Sequence, residues 1–159
     1  MKNSKILSFI LVICLWVGLG VAYADASKSF VMKDMAGKEH RLADYQGKWV
    51  LVNYWATWCP SCLDEMPDFV SLYDKHKGKD LMVLGVAVDY KTEKEVRDFA
   101  DDMLISYPII FGNAKIFAQF GSPEVLPTTL IYNPQGKLVK IKRGSVSKQM
   151  LEELMGFSK

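Results

Sequence analysis

The stretch YWATWCPSCLDEMP, residues 54–67, sets two of the chain's three cysteines, Cys59 and Cys62, on either side of Pro60 and Ser61. Ahead of the pair, WVLVNYWA (49–56) is a near-continuous run of β-branched and aromatic residues, the pattern of a strand buried on both faces. Behind it, Leu63, Met66, Phe69, Val70 and Tyr73 recur at helical spacing, with Lys75, His76 and Lys77 in the last turn and Gly78 as a stop. Pro67 falls inside that helix and is expected to kink it. The cysteines therefore end a strand and open a helix.

Three chemistries compete for such a pair. A closed zinc site needs four ligands, yet the only histidines, His40 and His76, stand alone and far apart. His76 reads as a cation at a helix C-terminus and His40 as a surface residue of a hairpin. A purely structural bridge across two residues closes a very short loop and is a weak stabiliser. A redox pair explains the placement better. At a helix start the first sulfur lies among orphan backbone N–H groups at the positive end of the dipole, which favours its thiolate. Cys59 is then expected to attack, and Cys62, one turn further in, to resolve. A resemblance to peroxide-reducing relatives of the fold would call for Pro-x-x-x-Thr-x-x-Cys, but Thr57 stands two residues before Cys59 and no proline takes the corresponding place.

The remaining pattern alternates strand and helix. Residues 30–42 hold two short apolar segments around Ala36-Gly37-Lys38, a hairpin signal. LMVLGVAV (81–88) is a second buried strand, Thr92-Glu93-Lys94-Glu95 is a capping box opening a helix to about Met103, and 114–120 is a short helix. TTLIY (128–132), the turn at 133–136 and KLVKIKR (137–143) form strand, turn and strand, before a last helix capped by Ser147. Such alternation implies parallel strand pairing.

The chain has 159 residues, half of them apolar, which suits one compact domain. MKNSK, then an apolar run, then Ala22-Tyr23-Ala24 reads as an export signal over residues 1–24, with the domain at 25–159. The alternative is a retained anchor, residues 6–22 being just under the roughly 20 that span a bilayer. Removing 1–24 takes Lys2 and Lys5 and no acid, so the formal +2 falls to zero; nucleic acid is not an expected partner. Cys14 lies in the apolar run and receives no role.

On these residues the chain resembles the thioredoxin superfamily, and within it the exported TlpA/ResA/DsbE-like thiol-disulfide oxidoreductases. The motifs that carry the likeness are the run from Asn53 to Pro67, the strand end Gly85 to Asp89, Leu126-Pro127-Thr128-Thr129, and the NPQGKLV turn. The resemblance implies an α/β thioredoxin fold, a central mixed β-sheet flanked by helices with an N-terminal β-hairpin. It also implies that Leu126-Pro127-Thr128 is a cis-proline loop facing the cysteines, and that Trp58, Pro60, Leu126, Pro127 and Thr128 bind substrate. No cofactor and no metal are implied. Thioredoxin has a buried acid in place of Asn53 and a lysine in place of Gly85; here the acid is expected to be Glu65, three residues after Cys62. A plain helix-start charge, open to Asp64 as well, is the alternative for Glu65.

The expected activity is exchange of the Cys59/Cys62 dithiol with a protein disulfide in the periplasm or another exported location. The resemblance adds a reducing direction, with a cysteine-containing protein such as apocytochrome c as substrate and a membrane thiol-disulfide reductase as electron donor. The rivals are a net disulfide-forming oxidase and a non-catalytic binding or chaperone module using the cis-proline groove.

Overall fold

A computed structural model describes residues 29–157. The expected export segment at 1–24 lies outside the described residues. Among those described, no helix is long and apolar enough to cross a membrane.

A five-stranded mixed sheet forms the centre, in the order β5-β4-β3-β6-β7. Strand β3 (Trp49–Trp55) pairs parallel with β4 (Leu81–Ala87) on one side and antiparallel with β6 (Thr128–Tyr132) on the other. Strand β5 (Ile109–Phe111) extends the parallel edge, and β7 (Leu138–Arg143) the antiparallel one. The expected N-terminal hairpin is present as β1 (Val31–Lys33) and β2 (Glu39–Arg41), a separate two-stranded sheet. The fold is the thioredoxin fold anticipated from the motifs.

Both faces of the sheet are covered, and β3 shows why its sequence is apolar throughout. Val50, Val52 and Tyr54 point to a core shared with Phe30, Met32 and Tyr132. Leu51 points the other way, against Phe69 and Leu72 of α1 (Pro60–His76) and Leu151 of α4 (Lys148–Met155), and Trp55 packs near Met66. Each such side chain, fully buried, contributes about 1.5–3 kcal/mol. Asn53 is the polar exception in the strand, on the α1 face.

The expected caps form. Thr92 Oγ1 accepts the Glu95 N–H at the start of α2 (Glu93–Asp102), and Ser147 Oγ accepts that of Met150 at the start of α4. Helix α3 (Ala114–Phe120) starts at Asn113, whose side chain accepts two backbone N–H groups. Helix α1 runs on unbroken through Pro67, which lies on the exposed side, where solvent can serve the carbonyl it leaves unbonded.

His40 departs from expectation. It is 0 % exposed, because the alternation of β2 turns it inward. Its Nε2 pairs with Asp34 Oδ2 at 2.8 Å and its Nδ1 with the Tyr45 hydroxyl, so both ring nitrogens are satisfied. His76 does sit in the last turn of α1, but buried, bonded to Asp80 at 2.8 Å and stacked on Phe157.

Candidate active site

The strand-to-helix turn places Cys59 at the N-cap of α1, with extended backbone, and Pro60 at its first position, where a missing N–H costs nothing. The Cys59 carbonyl accepts the N–H groups of Cys62 and Leu63, which fixes the turn. Cys59 and Cys62 are joined as a disulfide with Cα atoms 5.3 Å apart. Cys62 is 0 % exposed, whereas Cys59, at 3 %, lines a groove of about 650 Å³.

That groove runs between Trp58 and the loop ahead of Leu126. Trp58 is 58 % exposed and held in place by its indole N–H, which donates to the Asp89 carbonyl at 3.1 Å. The groove is apolar along Val88, Phe117, Val125 and Leu126, and carries two exposed carboxylates, Asp89 and Glu124. Tyr54 and Trp55, which flank the motif in sequence, are core residues.

The Leu126–Pro127 peptide bond is cis. Of the five residues expected to bind substrate, Trp58, Pro60 and Leu126 line the groove; Pro127 and Thr128 lie buried behind it. Thr128 closes its own loop, its hydroxyl donating to the Val125 carbonyl at 2.8 Å. The Pro127 carbonyl accepts the Gly144 N–H at 2.8 Å, while the Leu126 backbone makes no hydrogen bond among the described residues.

Asp64 and Glu65, equivalent by sequence, separate here. Asp64 faces solvent and Glu65 is 2 % exposed. One Glu65 oxygen accepts from Asn53 Nδ2 at 2.8 Å and the other from the Val146 N–H at 2.9 Å. Burial pushes its carboxyl up to about 7, against the opposing pull of those two bonds and of Lys142. A carboxyl poised near neutrality, three residues after Cys62 on the same helix, can exchange protons at working pH. The Val146 N–H and Thr129, which holds Asn53, are absent from the sequence expectations. A backbone donor brought from another loop leaves no trace in residue type.

Thr57, misplaced by one position for the peroxidatic pattern, is bonded elsewhere: its hydroxyl donates to Glu95 at 2.6 Å. No cluster of three or more His, Cys, Asp or Glu suited to a metal occurs among the described residues.

The chain is similar to known proteins in sequence and in fold. The AhpC/TSA family profile matches residues 24–141. The thiol-disulfide oxidoreductase ResA of Halalkalibacterium halodurans is 33 % identical over 131 residues, covering 82 % of this chain and 74 % of that protein. A thiol:disulfide interchange protein of the thioredoxin family from Chlorobium tepidum superposes with a TM-score of 0.74 at 25 % identity, over 81 % of this chain and 92 % of the other. StoA from Bacillus subtilis does so with 0.68 at 25 % identity, over 79 % and 94 %. With its Cys59/Cys62 disulfide at the start of α1 facing a cis-proline loop, the chain belongs to the AhpC/TSA family, among its ResA-like thiol-disulfide oxidoreductases.

Proposed function

We propose that the protein, exported by residues 1–24, reduces disulfides of cysteine-containing proteins outside the cytoplasm. The observation that carries this is the asymmetry of the pair: Cys59 opens onto the groove and Cys62 does not. The Cys59 thiolate attacks one sulfur of a substrate disulfide; a Cys59–substrate disulfide forms and the other substrate sulfur leaves as thiolate. Cys62 then gives its proton to Glu65 and attacks the Cys59 sulfur. The Cys59–Cys62 bond closes, and the substrate departs with two electrons and, after protonation, two thiols.

The chain near Leu126 supplies the complementary docking edge. Its unpaired backbone groups can bond an extended substrate segment, while cis Pro127 keeps the loop bent beside the sulfurs. Trp58, Pro60 and Leu126 contact that segment, and Thr128 braces the loop.

A reducing direction is favoured by charge. No Lys, Arg or His lies between the cysteines, and Asp64 and Glu65 disfavour the thiolate. The ResA relatives are named thiol-disulfide oxidoreductases; for this chain an apocytochrome c is a fitting substrate and a membrane thiol-disulfide reductase a fitting donor. Equilibration of the pair with glutathione or thioredoxin tests the direction. A reduction potential near that of thioredoxin, about −270 mV, supports a reductant; one near about −120 mV makes the protein an oxidase.

A further inference from the structure

The loop from Asp89 to Thr92, between β4 and α2, meets the segment ahead of Cys59 at two points. At the first, the Asp89 carbonyl accepts the Trp58 indole N–H at 3.1 Å. Asp89 takes a left-handed backbone there, φ 49°, which its short polar side chain tolerates better than most. At the second, Glu95 of α2 bonds loop and motif together. Its Oε1 accepts the Thr57 hydroxyl at 2.6 Å and its Oε2 the Lys91 N–H at 3.1 Å.

Glu95 is the third residue of α2, a position where a carboxylate commonly turns back to cap the start of its own helix. The Lys91 bond fits that role, and the Glu95 N–H is itself capped by Thr92 Oγ1 at 3.2 Å. The Thr57 bond does not. It joins residues 38 positions apart and is the shorter of the two. The Thr57 hydroxyl first, and the Lys91 N–H second, hold the Glu95 carboxyl below its ordinary range, so both bonds belong to the ionised form.

These two bonds bear on Trp58, which is exposed and stands between Thr57 and Cys59. The carbonyl it bonds belongs to the loop that Glu95 fastens through Lys91, and its own backbone is fastened one residue away through Thr57. One carboxylate therefore ties the donor side of the Trp58 bond to the acceptor side. Trp58 and Asp89 both line the groove beside Cys59. An aromatic ring already fixed there loses less entropy on binding than one free to turn. The loop has other anchors: the Val88 N–H bonds the Trp55 carbonyl at 2.9 Å and the Tyr90 hydroxyl the Gly112 carbonyl at 3.3 Å, so it keeps its place in the fold when Glu95 is replaced.

We propose, resting on the groove as the substrate site, that Glu95 is a positioning residue for substrate binding. With one carboxylate oxygen on Thr57 and the other on Lys91, it holds the Trp58 ring as a fixed wall beside Cys59. Glu95 itself touches neither substrate nor sulfur and transfers no proton.

The test compares Glu95→Ala, which removes both bonds, with Glu95→Gln, which drops the charge but keeps an acceptor for Lys91 and a donor for Thr57. Nitrogen relaxation of the Trp58 indole N–H, assigned through Trp58→Phe, should show a rigid ring in the parent and in Glu95→Gln. In Glu95→Ala its order parameter should fall below about 0.6. In insulin reduction Glu95→Ala should raise KM about three- to tenfold with kcat near that of the parent, the scale of ordering one side chain on binding. Glu95→Gln should keep the parent KM, and on a Trp58→Ala background Glu95→Ala should add nothing. A Trp58 ring that stays rigid in Glu95→Ala overturns the proposal, as does an unchanged KM or an equal rise with and without Trp58. So does a Glu95→Gln that behaves like Glu95→Ala, since charge and not the two bonds would then be responsible. Insulin reduction that Cys59→Ser performs as well as the parent would instead overturn the groove as the reacting site, and the relaxation data alone would decide whether Glu95 holds the ring.

Discussion

The Glu65 carboxylate accepts the backbone N–H of Val146 at 2.9 Å, joining residues 81 positions apart. Two residues before Val146, the Gly144 N–H bonds the Pro127 carbonyl, so the segment 144–146 ties helix α1 to the cis-proline loop. The buried carboxyl and the proposed docking edge are thus held by one short stretch of chain.

Glu65 should make stability depend on pH. Burial raises its carboxyl to about 7, so the native state holds a proton that the unfolded chain, titrating near 4.5, releases. The resulting stabilisation is full below about pH 4.5 and lost as pH rises through about 7, a span of roughly 3 kcal/mol at most. Urea midpoints of the parent should therefore fall between pH 5 and 8 while those of Glu65→Gln stay level. Parallel curves would show that Glu65 is not shifted upward.

The same substitution should slow exchange. General acid-base assistance is worth roughly a hundredfold, so Glu65→Gln should reduce insulin about 100 times more slowly near neutral pH, with Asp64→Asn close to the parent. If Glu65→Gln matches the parent rate and only its urea midpoint moves, Glu65 is structural.

Groove charge should select substrates. Among the described residues, Asp89 and Glu124 are the charged side chains in the groove's lining beside Cys59, with Arg143 outside that lining 3.9 Å from Glu124. Disulfide peptides with Lys near the cysteine should react roughly two- to fivefold faster than peptides with Glu there, a difference that salt and the Asp89→Asn/Glu124→Gln pair both erase. Equal rates at low salt would remove the acidic rim from recognition.

Gly85 should not tolerate a methyl group. A Cβ there would lie 2.8 Å from the Tyr107 ring and 3.0 Å from the Trp55 indole nitrogen. Gly85→Ala should cost about 1–3 kcal/mol in chemical denaturation. An unchanged midpoint would mean that these rings move aside freely.

How much of this the sequence carries varies by element. The long apolar runs of β3 and β4 and the caps at Thr92 and Ser147 are legible because periodicity and capping residues are local signals. Strand β5 is not foreseen: three residues between Pro108 and Gly112 are too few for a period to show. The burial of His40 is likewise hidden, since it depends on Asp34 and Tyr45 arriving as partners. In the site, Cys59, Cys62 and the cis bond at Pro127 follow from motifs. That Glu65 turns inward and Asp64 outward depends on where Asn53 and Val146 stand, which only the fold decides.

On the proposed mechanism Cys59 attacks the substrate and Cys62 resolves the bond. Its most direct test is to incubate the Cys62→Ser variant with a disulfide-bonded substrate protein and map the trapped species by mass spectrometry, with Cys59→Ser alongside. A stable mixed disulfide on Cys59 is expected, and none with Cys59→Ser. A trapped adduct on Cys62, or equal trapping by both variants, would contradict it.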